Sequence, residues 1–264
     1  MGVARLNDSH QEVPQQPKAE YGNWVSKRLV YVPAVVGAGF IALTLWSWVF
    51  AIPAILFLVV AAYFGYARHL FAPSGGDVQG AIWRILLDHL DWDSRGRALD
   101  IGCGSGALAI RLAKNYPSAT VVGVDNWGSQ WGYSKALCER NAVAEGVGGQ
   151  VTFSPASASS LPFPDESFDL VVSNLTFHEV KDAPDKRELL KEAFRVLKKG
   201  GRFAFQDLFL MKRVYGDIDD LLQSISGWGV TRVDFVETNK APSIPSALKL
   251  SFMVGTLGLI VGVK

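Results

Sequence analysis

With 264 residues, 49% of them hydrophobic, the chain is long enough for one catalytic domain of ordinary size plus an appendage and too short for two full domains. Its 26 basic and 25 acidic residues nearly cancel, which excludes a chain-wide pull toward nucleic acid and leaves any membrane affinity to a local segment. The two cysteines, Cys103 and Cys138, make neither a disulfide framework nor a metal-ligand cluster and fit a reducing compartment.

Residues 1–28 are polar and proline-bearing and read as a mobile tail. From Val30 to Ala67 the chain then runs 38 residues without Asp, Glu, Lys or Arg. One helical pass needs about 20 residues, and a single helix of this length would reach roughly 57 Å across a hydrocarbon layer of about 30 Å. The run fits when folded in two. Pro53 is the expected break, giving passes near 30–49 and 53–69 and a transmembrane hairpin over 29–70 that meets the lipid bilayer through residues 30–67. Lys27, Arg28 and Arg68 flank the hairpin while its turn carries no charge, so the positive-inside bias predicts a multi-pass membrane protein with its catalytic domain on the cytoplasmic side. Trp24, Trp46, Trp48 and Tyr66 fall where interface anchors belong. A buried hairpin of a soluble domain is the alternative, against which stands the lack of any polar face.

Residues 71–77 form a linker, and Ile82, Ile85, Leu86 and Leu90 share one face of a lead-in helix. The expected elements thereafter are strand 97–101, helix 105–115, strand 120–125, helix 131–145, strands 150–154 and 168–173, helix 185–197, strand 202–207, helix 216–227 and strands 230–237 and 257–263. Alternating strands and helices imply a parallel sheet covered on both faces, with the last two strands an antiparallel hairpin. Between those two strands, residues 241–255 are more apolar than a solvent loop. They are expected to pack on the domain, with bilayer or a greasy substrate as the other partners.

"RALDIGCGSGALAIRLAK" passes from strand to helix through Gly102, Gly104 and Gly106, which lets main chain approach a ligand with no Cβ in the way. About twenty residues on, Asp125 ends a second strand where ribose hydroxyls are bound. These features describe a nucleoside-binding domain, and Gly102, Gly104 and Ala107 also satisfy the relaxed dinucleotide pattern, so an NAD(P)-dependent oxidoreductase stays open at this point. "LDIGCGSG", "SSLPFPDESFDLVVSNLTFHEV" and "LLKEAFRVLKKGGRFAFQDL" together resemble, in order, the motifs of class I S-adenosylmethionine-dependent methyltransferases. The resemblance covers roughly 78–264. It implies an α/β fold with a Rossmann-like, mostly parallel seven-stranded sheet and a C-terminal antiparallel hairpin, in a domain spanning 71–264 preceded by the two transmembrane helices, with S-adenosyl-L-methionine as cofactor.

Carried over by position, the resemblance implies that Asp100, Gly102 and Gly104 hold the methionine part of the cofactor and that Gly106 permits close packing of the next helix. It gives Asp125 the ribose, and Asn126 and Trp127 the adenine. Ser157 stands where many relatives have an aspartate for the adenine amino group, so its hydroxyl or the Ala158 amide serves instead. Asn174 and Leu175 follow the fourth strand at the ligand-binding edge. His178 is the best-placed candidate for a general base, the alternative being a turn cap or pocket wall. Glu179 and Asp182 read as solvated or helix-start charges. No catalytic triad or metal site is supported. The expected activity is methyl transfer to a hydrophobic small molecule or lipid, with a non-catalytic cofactor-binding membrane scaffold as the other alternative and no nucleic-acid partner.

Overall fold

The computed structural model describes residues 18–93, 95–128 and 132–264. Its first elements are α1 (Lys27–Leu43) and α2 (Ala51–Phe71), joined by a turn through Thr44–Ser47 and a short 3-10 segment, Trp48–Phe50. The break is therefore not at Pro53. That residue sits in the first turn of α2, where a missing N–H leaves no hydrogen bond unmade. The helices pack closely because Gly37 faces Ala54 and Leu58: a Cβ at Gly37 would stand 3.0 Å from Leu58 Cγ and 3.3 Å from the Ala54 carbonyl. Phe40 stacks on Phe57 at 5.8 Å.

The expectation of two full passes is corrected by length. At 17 residues α1 reaches about 26 Å, about one turn short of a hydrocarbon core. Among the described residues only Trp48–Phe71 is long and apolar enough to cross a membrane, and 11% of its most apolar window is buried in the protein. Among the described residues, the large apolar side chains left exposed all lie on this hairpin, apart from Val143, Leu250 and Phe252.

The expected mobile tail is corrected in part: residues 1–17 lie outside the described residues, but 18–26 run as a strap across the domain. Glu20 N–H donates to Asn141 Oδ1 (2.8 Å) and Asn141 Nδ2 donates back to the Glu20 carbonyl (2.9 Å). Val25 is buried. Trp24 is no interface anchor, since its ring lies 5.8 Å from Phe71 and 5.5 Å from Trp83. Trp83 belongs to α3 (Val78–Asp88), the lead-in helix.

The domain continues with β1 (Gly96–Ile101), α4 (Ala107–Asn115), β2 (Ala119–Asp125), α5 (Lys135–Ala144), β3 (Val151–Pro155), β4 (Phe168–Asn174), α6 (Lys186–Val196) and β5 (Leu197–Asp207). Two short helices, α7 (Lys212–Tyr215) and α8 (Ile218–Ser226), precede β6 (Arg232–Val236) and β7 (Gly258–Val263). The seven strands are ordered β3-β2-β1-β4-β5-β7-β6. The first five are parallel, and β7 inserts antiparallel between β5 and β6, so it closes more than the simple hairpin expected. The strand order reverses between β1 and β4, where open parallel sheets form their ligand crevice.

Each face of the sheet carries an apolar core. A third core joins Ala67 and Phe71 of α2 and Val25 of the strap to Val78 and Ile82 of α3 and to Ile244, Leu248, Val254 and Leu257 of the loop between β6 and β7. Each large side chain fully buried there contributes about 2 kcal/mol, which holds the foot of the hairpin against the domain. The 241–255 segment thus packs on the domain, except at its tip, where Leu250 is exposed and Phe252 is 63% exposed.

Candidate active site

The carboxyl ends of β1, β2 and β4 open onto a cavity of about 800 Å³. Asp100, Gly102, Gly104, Asp125, Asn126 and Trp127 line it, as do Ser157, Ala158, Asn174, Leu175 and His178. Gly106 lies behind it. With φ +83 it caps α4, and a Cβ there would meet Phe153 Cζ at 3.0 Å and Cys138 Cβ at 3.3 Å, so what comes close to it is β3 and α5.

The glycine loop is held from both sides. Gly102 and Cys103 N–H donate to the Val124 carbonyl (2.7 and 3.0 Å), tying the loop to β2. Gly102 has φ +72, and a Cβ on it would stand 2.1 Å from Thr176 Cγ2 and Oγ1, so no other residue fits. Asp125 clamps the loop: Oδ2 accepts from Gly104 N (2.9 Å) and Oδ1 from Trp127 N (2.7 Å). The Trp127 indole N–H donates to the Gly104 carbonyl (3.0 Å), which fixes its ring in the cavity wall. Cys138 Sγ donates to the same carbonyl (3.1 Å). The strap reaches this loop as well, since Ser105 Oγ donates to the Tyr21 carbonyl (3.2 Å).

Asp100 is enclosed beneath the loop and accepts from Ala109 N (3.0 Å) at the start of α4. Burial pushes its carboxyl up to about 7; the Ala109 hydrogen bond opposes the rise and the charge of Asp125 adds to it. Asn174 Oδ1 is buried in the cavity wall without a hydrogen-bond partner. Trp127 (φ +44) and Leu175 (φ +54) hold left-handed backbone beside it, a conformation that costs a non-glycine residue about 1 kcal/mol or more and persists where surrounding contacts impose it.

At the adenine end of the expected site, Ser157 Oγ donates to Asp182 Oδ2 (3.0 Å) and Ser159 Oγ to the same oxygen (2.6 Å). Asp182 is exposed, as the solvated reading expects, and lies ahead of α6; these hydroxyls hold its carboxyl below the usual range. A carboxylate missing at position 157 in the chain is brought there in space.

His178 follows Asn174 in a 3-10 turn, Phe177–Glu179. Its Nδ1–H donates to Asp207 Oδ1 (2.6 Å), leaving Nε2 with the Glu179 carboxylate at 3.7 Å. Burial lowers the imidazole pKa, but the charge and hydrogen bond of Asp207 outweigh it and leave the value raised above 6.5. Asp207 ends β5, is fully buried, and also accepts from Phe177 N (2.8 Å) and Leu208 N (2.7 Å). Sequence reasoning did not single out Thr176 and Tyr133, which line the cavity, the Tyr133 ring closing on Gly104, or Asp207, which holds His178.

The far wall of the cavity is apolar. It comes from Trp24 and Val25 of the strap, Phe71 of α2, Leu208, and Phe252, Met253 and Val254 of the β6–β7 loop.

Residues 99–205 match a family model described as "Methyltransferase domain". A ubiquinone/menaquinone biosynthesis C-methyltransferase of Geobacter sulfurreducens is 34% identical over 141 residues, covering 50% of this chain and 51% of its own. A sterol 24-C-methyltransferase of Aspergillus fumigatus is 37% identical over 120 residues, covering 45% of this chain and 29% of its own. The chain therefore spans about half, or less, of the length of these curated relatives. In fold it is similar to a geranyl diphosphate C-methyltransferase from Streptomyces coelicolor solved with Mg2+, geranyl diphosphate and S-adenosyl-L-homocysteine: TM-score 0.53, 17% identity, 70% of this chain and 79% of that one. In its central segment the chain is thus similar in sequence to methyltransferase domains, and in fold to the solved methyltransferase.

Proposed function

We propose that the protein is a membrane-anchored methyltransferase that methylates a lipophilic small molecule drawn from the bilayer. The observation that carries this reading is the division of the cavity: a polar half built by strand ends and the glycine loop, and an apolar half in which Phe71 at the foot of the exposed hairpin joins Trp24 and Val25 of the strap and Phe252, Met253 and Val254 of the β6–β7 loop. The curated relatives named for quinone and sterol methylation favour an acceptor of the same greasy kind.

S-adenosyl-L-methionine supplies an electrophilic methyl group on a sulfonium. The residues present fit such a cationic, nucleoside-bearing group: two carboxylates flank a cradle in which a Cβ at Gly102 has no room, and Asn174 Oδ1 stands ready to accept from a donor. Asp100, Gly102 and Gly104 are the residues for its amino-acid end and Asp125 for its ribose, with Asn126, Trp127, Ser157, Ala158 and Asp182 around the base and Leu175 in the wall. His178 Nε2 takes the acceptor's proton, while Asp207 holds the Nδ1–H tautomer and steadies the imidazolium that forms. Alignment of the acceptor within the walls does the rest of the work.

The hairpin enters the bilayer and leaves it on the same side, with Lys27, Arg28 and Arg68 at its foot setting that side as the cytoplasmic one. Its tip carries Leu45, Trp46 and Trp48, each at least 75% exposed in the protein alone. Because α1 is short, this is a hairpin embedded from one face rather than a pair of complete crossings.

Calorimetric titration with S-adenosylhomocysteine, followed by transfer of labelled methyl into a lipid extract, tests the reading. Binding of the ligand and label in an organic-soluble product are expected. Binding of a nicotinamide cofactor in its place, or label only in water-soluble material, would sink it.

A further inference from the structure

We infer that the acceptor enters the cavity sideways, through an aromatic portal between Phe252 and α2 at Tyr63 and Phe64, and that it is a long-chain apolar molecule with one compact polar head. The inference rests on the membrane reading above and adds the route and the shape of the molecule. Phe252 is both a lining residue of the cavity and 63% exposed, so one ring faces the site and the outside at once. Its ring lies 6.0 Å from Tyr63 and 6.5 Å from Phe64, contacts of rings that touch without interlocking.

The loop that carries Phe252 is built to let the tip move while its ends stay. Leu248 and Val254 are buried, Val254 N–H donates to the Leu248 carbonyl (3.2 Å) and Gly255 N–H to the Leu250 carbonyl (3.0 Å). Tyr63 OH donates to the Ala247 carbonyl (3.0 Å), fastening the root of the loop to the helix. Met253 N–H also donates to the Leu250 carbonyl (2.9 Å), so the exposed turn at 250–253 that carries Phe252 moves as one unit between these ties.

Phe64 packs on the apolar cluster that holds Phe71, and Phe71, Leu175 and Leu208 of that cluster line the cavity. Tyr63 stands about 12 Å before Phe71 along α2, and Leu208 is the neighbour of Asp207. An apolar chain lying in this groove delivers its head to His178. Outside the portal, α2 offers Ile52, Ile55, Leu56 and Val59, all exposed, so the tail never has to leave an apolar environment.

The test uses the full-length protein on phosphatidylcholine vesicles holding a hexadecyl alcohol with a mid-chain diazirine, with adducts mapped by mass spectrometry after irradiation. Adducts on residues 63–71 and 250–254 are expected. Phe252→Glu is expected to cut them at least fivefold and Phe252→Leu to restore them, with S-adenosylhomocysteine affinity and vesicle flotation each within twofold of the parent. Adducts confined to residues 52–59, or unchanged by Phe252→Glu, overturn the portal while leaving the anchor standing. A parent protein that fails to float overturns the membrane reading and the portal with it. Failure to bind S-adenosylhomocysteine overturns the methyltransferase reading by itself.

Discussion

Asp100→Asn is expected to stabilise the free protein above neutral pH while weakening its hold on the cofactor. The Asp100 carboxyl ionises at about 7 in the folded protein, against an ordinary 3.8, because it is buried with one hydrogen bond, from Ala109 N, to offset the loss of water. Between those values the unfolded chain holds fewer protons than the folded one, so folding stability falls as pH rises through the window and levels off above 7. The three-unit gap corresponds to about 4 kcal/mol at the plateau. Asparagine carries no charge and removes the slope. For a chain of this size the gain at pH 8 is on the order of 10 °C in Tm, shrinking toward zero near pH 4. A cationic ligand relieves the same penalty, so cofactor binding below pH 7 must release a proton, and affinity must climb with pH up to about 7. Thermal unfolding of both proteins in detergent micelles at pH 5 and pH 8, with and without S-adenosylhomocysteine, reads all of this. A stability gap between the two proteins that is equal at pH 5 and pH 8 would refute the electrostatic account.

Three further outcomes follow from the geometry. His178→Gln is expected to lower kcat by about 100-fold with cofactor affinity intact; Asp207→Asn removes the stronger of the two carboxylates that raise the imidazole and leaves Glu179 against burial and Lys186, so the acidic limb of the pH–rate profile, which rises through a value above 6.5 in the parent, moves to lower pH. An unmoved limb removes His178 from the reaction. Gly102→Ala drives a methyl into Thr176 at 2.1 Å and is expected to abolish S-adenosylhomocysteine binding by calorimetry, whereas Gly132→Ala, with nothing within 4 Å, keeps much more of it. Replacing Leu45, Trp46 and Trp48 together with serine is expected to reduce flotation on vesicles at least tenfold without altering cofactor affinity; full retention would place the membrane contact elsewhere.

The periodic signals carried the sheet to within a residue or two at most strand ends, because buried parallel strands are written as local apolar runs such as "VVGV" and "LVVS". The start of β5 escaped, since Lys198 and Lys199 are solvated there and Lys198 pairs with Asp169 (2.7 Å), leaving no apolar alternation to read. The hairpin's existence was legible from charge alone, but its break was not: a proline in a first turn disturbs nothing, and the true turn is marked only by Thr44 and Ser47. The strap was misjudged because its order comes from partners far along the chain. Composition reports that residues 18–26 are polar on balance, not that Asn141 and Gln79 wait for their backbone.

The site shows the same division between local and distant information. Asp100 and Asp125 were visible because each sits beside a glycine loop or at the end of a plain strand. Asp207 was not singled out, although it ends β5 as Asp125 ends β2 and Asn174 ends β4. Parallel strands start and stop in register, so polar residues closing neighbouring strands are delivered to one edge whatever their separation in the chain. Asn174 pairs with Gln206 across β4 and β5, which sets Asp207 one residue beyond and within reach of the turn that bears His178. A buried carboxylate at that edge accepts from Phe177 N, Leu208 N and the imidazole together, and so fixes the turn, the strand end and the His178 ring in a single arrangement. Collecting the final polar residue of every strand expected to be parallel, rather than only those flanked by glycines, is therefore the rule that recovers the His178–Asp207 pair from the chain alone.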